Sequence, residues 1–143
     1  MLLLVLTNLY PPQNLGGFGL CIHRIANGLE NIGYRIIVLT SNEKYLGPIG
    51  TSTKVKRDLK LLGTYEDGLK PLNNNYEKER INLENNYVLE ELLRTQKPDA
   101  CLIGNLDLLG IELMRQILDK GIPTIQHVGF MGAPFPIKAY PRN

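Results

Sequence analysis

The fold is decided by residues 2–40, which read LLLVLTNLYPPQNLGGFGLCIHRIANGLENIGYRIIVLT. This stretch begins with a continuous aliphatic run, Leu2 to Leu6, and closes with another, Ile36 to Leu39. Such runs are typical of strands that are buried on both faces of a parallel sheet. Between them, apolar residues recur at helical spacing from Phe18 to Ile32, and Gly33 is a natural helix C-cap. The sequence therefore predicts a strand, a loop, a helix and a second strand.

The rest of the chain continues this alternation. The predicted elements are a half-exposed edge strand within Thr53 to Leu62, a long amphipathic helix from Glu77 to Gln96, a buried strand from Asp99 to Ile103, a helix from Asn105 to Lys120 and a last strand from Ile122 to Gln126. Strands that alternate with helices predict an α/β fold with a doubly wound, mainly parallel, Rossmann-like sheet. The 143 residues fit a single domain, 1–143.

Composition narrows the range of functions. The formal charge of +2 is far below the basic excess of a protein whose main partner is nucleic acid. The opening run, Met1 to Leu6, is too short for a signal peptide, so we expect a cytoplasmic protein and leave peripheral membrane contact open. Cys21 and Cys101 lie in apolar surroundings without CxxC spacing, and we expect both to be buried core thiols rather than zinc or redox groups.

Ligands of doubly wound sheets bind at the carboxyl ends of the strands. One loop at this edge contains Gly16 and Gly17 just before a helix, where free backbone N–H groups favour an anion such as phosphate. The loop departs from the dinucleotide fingerprint, because Ile22 stands where the third glycine would be. Taken alone, the glycines are explained equally well as a tight connection.

Two further candidates follow later strands. His127 comes after the last strand and is either a ligand contact or a structural histidine, whereas His23 is expected on the solvated stripe of the first helix. Asn105 could bind a hydroxyl-rich ligand, but capping of the following helix is the favoured reading. No facing carboxylate pair, Ser-His-Asp set or metal-ligand cluster is apparent, so we expect no metal.

The segment of the predicted edge strand contains several basic residues. They are Lys54, Lys56, Arg57 and Lys60. These residues could contact acidic lipid or substrate. The favoured interpretation is that they are solvated and that the lysines protect an edge strand from pairing with another strand.

Several positions, in their order along the chain, resemble one family. They are Tyr10-Pro11-Pro12, Gly16-Gly17 opening a helix, Leu29 to Gly33 before Tyr34 to Thr40, Lys97-Pro98-Asp99, Asn105-Leu106, Leu109-Gly110, and Gly121-Ile122-Pro123 leading to His127. The chain is similar there to the amino-terminal domain of retaining glycosyltransferases of the GT-B fold, often called group 1 or family 4. It departs from that pattern at Leu102 and Gly104, which stand in place of histidines, and at Val128, which stands in place of an acid.

The resemblance implies retaining transfer of a sugar from a nucleotide diphosphate sugar to a sugar or lipid-linked acceptor, with no cofactor besides that donor. It implies that Gly16 and Gly17 lie against the donor phosphate and acceptor, that Asn105 is in the cleft, and that the catalytic His127 contacts the donor sugar. In the family the nucleotide is held mainly by a carboxyl-terminal domain. That domain is not within these residues, so we expect it in cis or in a second chain, and we expect the isolated chain to be inactive.

Two other interpretations of the chain's function remain open. One is a non-catalytic partner subunit of a split glycosyltransferase, whose apolar and proline-rich segment from Phe130 to Asn143 could contact the nucleotide-binding chain. The other is a small nucleotide-binding protein of flavodoxin-like topology, against which the long, proline-containing first loop counts.

Overall fold

The aliphatic run Leu2–Leu6 is the central strand of the sheet, as its two-sided hydrophobicity predicts. The computed structural model describes residues 1–13, 18–43, 54–66 and 68–127. The elements in these residues are β1 (Leu2–Leu6), α1 (Phe18–Asn31), β2 (Arg35–Ser41), β3 (Val55–Leu59), β4 (Gly63–Thr64), β5 (Lys70–Pro71), α2 (Asn75–Gln96), β6 (Ala100–Ile103), α3 (Glu112–Asp119) and β7 (Thr124–Gln126).

Five strands form one parallel sheet in the order β3-β2-β1-β6-β7. Leu4 of β1 is in register with Ile37 of β2 on one side and with Cys101 of β6 on the other. The predicted α/β fold with a doubly wound, Rossmann-like sheet is confirmed. All five strands run the same way, so their carboxyl ends share one edge, called here the carboxyl edge. The two-residue strands β4 and β5 pair separately as an antiparallel hairpin, which the sequence had not indicated.

Helices cover the two faces of the sheet differently. Leu4 and Leu6 belong to the larger core cluster, which also contains buried residues of α2 and α3. Leu3 and Val5 point to the opposite face and pack with residues of α1 such as Ile22. Burying both faces of β1 requires apolar side chains at consecutive positions, which accounts for the unbroken run in the sequence.

The helix ends follow local signals that the sequence carries. α1 ends before Gly33, which has φ 107° and whose N–H donates to Glu30 O at 3.1 Å. α2 begins two residues before the predicted Glu77, because Asn74 Oδ1 accepts the Glu77 N–H at 3.0 Å and caps the helix. It ends at Gln96, as predicted, where Lys97 takes a left-handed conformation with φ 48°.

The predicted helix from Asn105 to Lys120 is wrong in its first half, because α3 begins only at Glu112. Leu108 has φ 63° and Gly110 has φ 80°, values that an α-helix cannot contain. The N–H groups of Leu109 and Gly110 instead close tight turns on Leu106 O, at 2.9 and 3.1 Å.

Two predictions about side-chain burial also need correction. Cys101 is fully buried in the core, as expected, but Cys21 is exposed because α1 buries the stripe through Ile22 and Ala26, and Cys21 lies beside that stripe. His23 is half-buried rather than fully solvated, since its ring meets the Tyr10 ring edge-on with centroids 5.3 Å apart. The predictions for Cys21 and His23 failed because helical spacing does not define the edge of a buried stripe.

Candidate functional site

The carboxyl edge of the sheet carries polar residues at the ends of four strands. Thr7 and Asn8 follow β1, Ser41 ends β2, Asn105 follows β6, and His127 follows β7 directly. The first three of these residues are buried, whereas Asn105 and His127 are half-buried. This edge is where a doubly wound sheet binds its ligands, so we treat it as the candidate site.

His127 is held at this edge through its backbone. Its N–H donates to Ile103 O of β6 at 2.8 Å, which extends the β6–β7 pairing by one residue. His127 also lines one end of a cavity of about 380 Å³ on the α1 face of the sheet, whose walls include Leu3, Leu102 and Ile125. The predicted catalytic histidine therefore stands between the carboxyl edge and a mainly apolar groove.

Asn105 uses its side chain to shape the loop after β6. Its Oδ1 accepts the Asp107 N–H at 2.8 Å, and its backbone carbonyl accepts the Asn8 N–H at 2.8 Å. The sequence favoured capping of the following helix, but the Asn105 side chain caps a turn, since α3 begins only at Glu112. The second bond ties the loops after β1 and β6 together.

Gly16 and Gly17, the other predicted site residues, lie outside the described residues, as do Val128 and the segment from Phe130 to Asn143. The residues on each side of the glycines are described. Pro11 to Gln13 form a turn that contains a cis Pro11-Pro12 peptide bond, and α1 begins at Phe18. Four residues, 14–17, join that turn to the helix.

Gly104 is required by close packing at the same edge. A Cβ at this position would lie 2.7 Å from Thr7 Oγ1 and 3.0 Å from Ile22 Cγ1. Real Cβ atoms do not approach a neighbour as closely as 2.7 Å, so any side chain at position 104 would require a shift of the surrounding atoms.

A buried polar cluster that the sequence did not indicate lies where β1 ends. Asn8 is only 2% exposed, and its Nδ2 donates to Tyr65 Oη at 2.7 Å and to Asp107 O at 3.1 Å. Burial, reinforced by the nearby Asp107 charge, raises the pKa of Tyr65 to about 12, so this phenol is neutral at physiological pH. The position of Asn8 directly after a buried strand was the only signal for this cluster.

A second cluster joins the turn after β1 to the end of β2 and the middle of β3. It consists of Gln13, Ser41 and Arg57, which are brought together from three separate elements. Burial lowers the pKa of Arg57, while the nearby Tyr10 opposes that shift. Arg57 is half-buried, so its prediction as part of a solvated edge is wrong.

Two of the other basic residues, which flank β3 on either side, form ion pairs. Lys54 Nζ lies 2.7 Å from Glu30 Oε1, and Lys60 Nζ lies 2.9 Å from Glu84 Oε1. These ion pairs connect the edge of the sheet to α1 and α2 and are the kind of exposed contact that the solvated-edge reading predicts.

Within the described ranges, no group of three or more His, Cys, Asp or Glu residues is arranged to hold a metal ion. Over the same residues, no helix combines the length and the apolar character needed to cross a membrane.

By its fold, the chain is an α/β protein with a five-stranded, parallel, Rossmann-like sheet. Compared with known proteins, the chain matches no protein-family model and no curated protein sequence.

Proposed function

We propose that this chain is the amino-terminal, acceptor-side domain of a retaining glycosyltransferase of the GT-B fold. The observation that supports it most directly is the position of His127, which follows β7 at the carboxyl edge, two strands from the loop between β1 and α1. In the resembled family a histidine at this point contacts the donor sugar, and the loop after the first strand contacts the donor phosphate. The order of these elements in the sheet suits both contacts.

The chemistry requires stabilisation of a leaving diphosphate and of an oxocarbenium-like sugar. His127 would contact the sugar, and the backbone N–H groups at Gly16 and Gly17 would face the phosphate. Asn105 uses its side-chain oxygen for the turn, which leaves amide N–H groups as its means of binding a sugar hydroxyl. The nucleotide itself would be bound by a second domain, in cis or in another chain, so sugar transfer requires both halves.

One observation favours the alternative of a partner subunit. The cavity beside His127 is lined by apolar side chains, and Ile125 on its rim is 69% exposed. A parallel sheet is normally covered on both faces, so an apolar surface of this kind is suited to contact with another polypeptide. In that reading the chain supplies acceptor or membrane contacts and the catalytic groups lie elsewhere.

The first experiment determines what accompanies the chain in its source cells. The native transcript is sequenced beyond the codon for Asn143, and the intact mass of the polypeptide is measured. The native assembly is then incubated with a panel of nucleotide diphosphate sugars, and the anomeric configuration of any product is determined by NMR. The proposal expects transfer with retention, and an assembly that transfers no sugar would contradict it.

Two histidine variants then separate the readings. His127→Ala should lower transfer and leave folding intact, because the backbone hydrogen bond from His127 to Ile103 is kept. His23→Ala is the matched control, since loss of its contact with Tyr10 should lower the melting temperature without affecting transfer. Normal turnover with His127→Ala in an active assembly would instead support the partner-subunit reading.

A further inference from the structure

The turn that leads from β1 towards the glycines is closed by one residue, Gln13, through its backbone and its side chain. Gln13 N–H donates to Tyr10 O at 3.1 Å, and Gln13 Oε1 accepts the Tyr10 N–H at 2.9 Å. Both bonds join the same two residues, so the turn has a defined shape before the next four residues, 14–17, begin. Gln13 is only 4% exposed, which protects these bonds from water.

The same glutamine attaches the turn to β2. Gln13 Nε2 lies 3.2 Å from Ser41 O and 2.8 Å from Glu43 O, so it donates to backbone carbonyls at and just beyond the end of that strand. An amide has two N–H donors, and these two carbonyls can use both. The turn is therefore fixed relative to the neighbouring strand and not only to β1.

Arg57 attaches the turn to β3 as well. Its Nη1 donates to Gln13 Oε1 at 3.0 Å, and its Nη2 donates to Pro11 O at 2.7 Å. A guanidinium presents its donors in a rigid plane, so it can bridge two acceptors that a lysine ammonium would not hold in the same geometry. Within the described part of the chain, Arg57 makes no ion pair with a carboxylate, and the acceptors it uses there are neutral.

We propose that Arg57 is a positioning residue for the turn from Tyr10 to Gln13. By holding Pro11 and Gln13, it fixes this turn relative to β2 and β3. The inference rests on the proposed function in one respect, namely that the chain leaving this turn contacts the donor diphosphate. The positioning itself depends only on the hydrogen bonds of the turn.

The test uses Arg57→Met, which keeps the aliphatic stem and removes every donor, and Arg57→Lys, which keeps the charge. Lys56→Met is the matched control, because Lys56 is the preceding residue of β3 and is exposed. The readout is hydrogen exchange of the Tyr10 and Gln13 amides, compared with core amides of β1. We expect Arg57→Met to accelerate exchange at both turn amides by about tenfold or more relative to the core, as the loss of charged hydrogen bonds implies.

Arg57→Lys should accelerate exchange to a similar extent, because charge without the planar donor pair does not hold the turn. Full protection in Arg57→Lys would overturn the proposed bridging role, and unchanged exchange in Arg57→Met would overturn the inference altogether. In an active native assembly, Arg57→Met should raise the KM for the donor more than it lowers kcat. Accelerated exchange together with a wild-type assembly that transfers no sugar would contradict the proposed function and leave the positioning role of Arg57 standing.

Discussion

Gly104 lies so close to Thr7 that a side chain does not fit between them, since a Cβ at position 104 would stand 2.7 Å from Thr7 Oγ1 and 2.9 Å from Thr7 Cβ. The two residues lie at the carboxyl ends of neighbouring strands, where Gly104 N–H donates to Leu6 O at 2.8 Å. We expect Gly104→Ala to lower the free energy of unfolding by about 1–3 kcal/mol, the usual cost of overpacking. Urea denaturation measures this change.

A matched glycine tests whether packing is the cause. Gly28 is an exposed residue of α1, and a Cβ there would meet no atom within 4 Å. Gly28→Ala should therefore raise the free energy of unfolding by about 0.5–1 kcal/mol, through helix propensity alone. If Gly104→Ala proves as harmless as Gly28→Ala, the close approach to Thr7 does not constrain the edge.

Two buried tyrosines should respond in opposite ways to the loss of their hydroxyl groups. Tyr65 Oη accepts one of the two hydrogen bonds that the buried Asn8 amide donates, so Tyr65→Phe should cost about 1–2 kcal/mol of stability by leaving one N–H of that amide without its partner. The Tyr10 hydroxyl is buried and has no hydrogen-bond partner in the described part of the chain, so Tyr10→Phe should be neutral or stabilising. Equal losses in thermal denaturation would contradict the assigned hydrogen bond.

The secondary-structure elements that are determined by nearby residues were predicted correctly from the sequence. β1 was predicted with its observed bounds because every one of its residues is buried, and α1 because Gly33 ends it. The loop after β6 was misassigned as helix because a positive φ at Leu108 has no signature in a leucine. Asn105 was expected to cap a helix, but it caps a turn, because the following helix begins only at Glu112.

The contacts that organise the carboxyl edge are long-range, which is why periodicity could not reveal them. Arg57 and Gln13 are 44 residues apart, and Asn8 and Tyr65 are 57 apart. The sequence predicts that Arg57 is solvated like the neighbouring lysines, but its neutral acceptors set it apart from Lys54 and Lys60, which form ion pairs. Strand ends could be located from the sequence, but which polar groups meet there depends on the order of the strands.

The side chain of Asn85, in α2, hydrogen-bonds both backbone groups of Lys60 just after β3, as a neighbouring strand would. It is 1% exposed, accepts the Lys60 N–H at 2.9 Å and donates to Lys60 O at 2.8 Å. Asn85→Ala should cost about 1–3 kcal/mol, since both backbone groups of Lys60 lose their partner. Asn82→Ala, one turn earlier and half-buried, is the control and should change stability little in chemical denaturation. A loss at Asn82 as large as that at Asn85 would show that helix propensity or packing, and not the paired hydrogen bonds, sets the effect.

Stability should fall at high pH because folding raises the pKa of both buried phenols. Burial raises the pKa of Tyr10 to about 12, reinforced by Glu30, and burial likewise raises that of Tyr65 to about 12. The unfolded value is 10.0, so folding favours the neutral phenols. Their contribution to stability is complete below about pH 10 and is lost as the pH rises through about 12. We expect the urea midpoint to decline across that interval and the Tyr10→Phe, Tyr65→Phe double variant to decline less steeply. Phenolate absorbance recorded alongside should show two fewer late-titrating groups in the double variant. An identical decline in both proteins would mean that other groups govern alkaline unfolding.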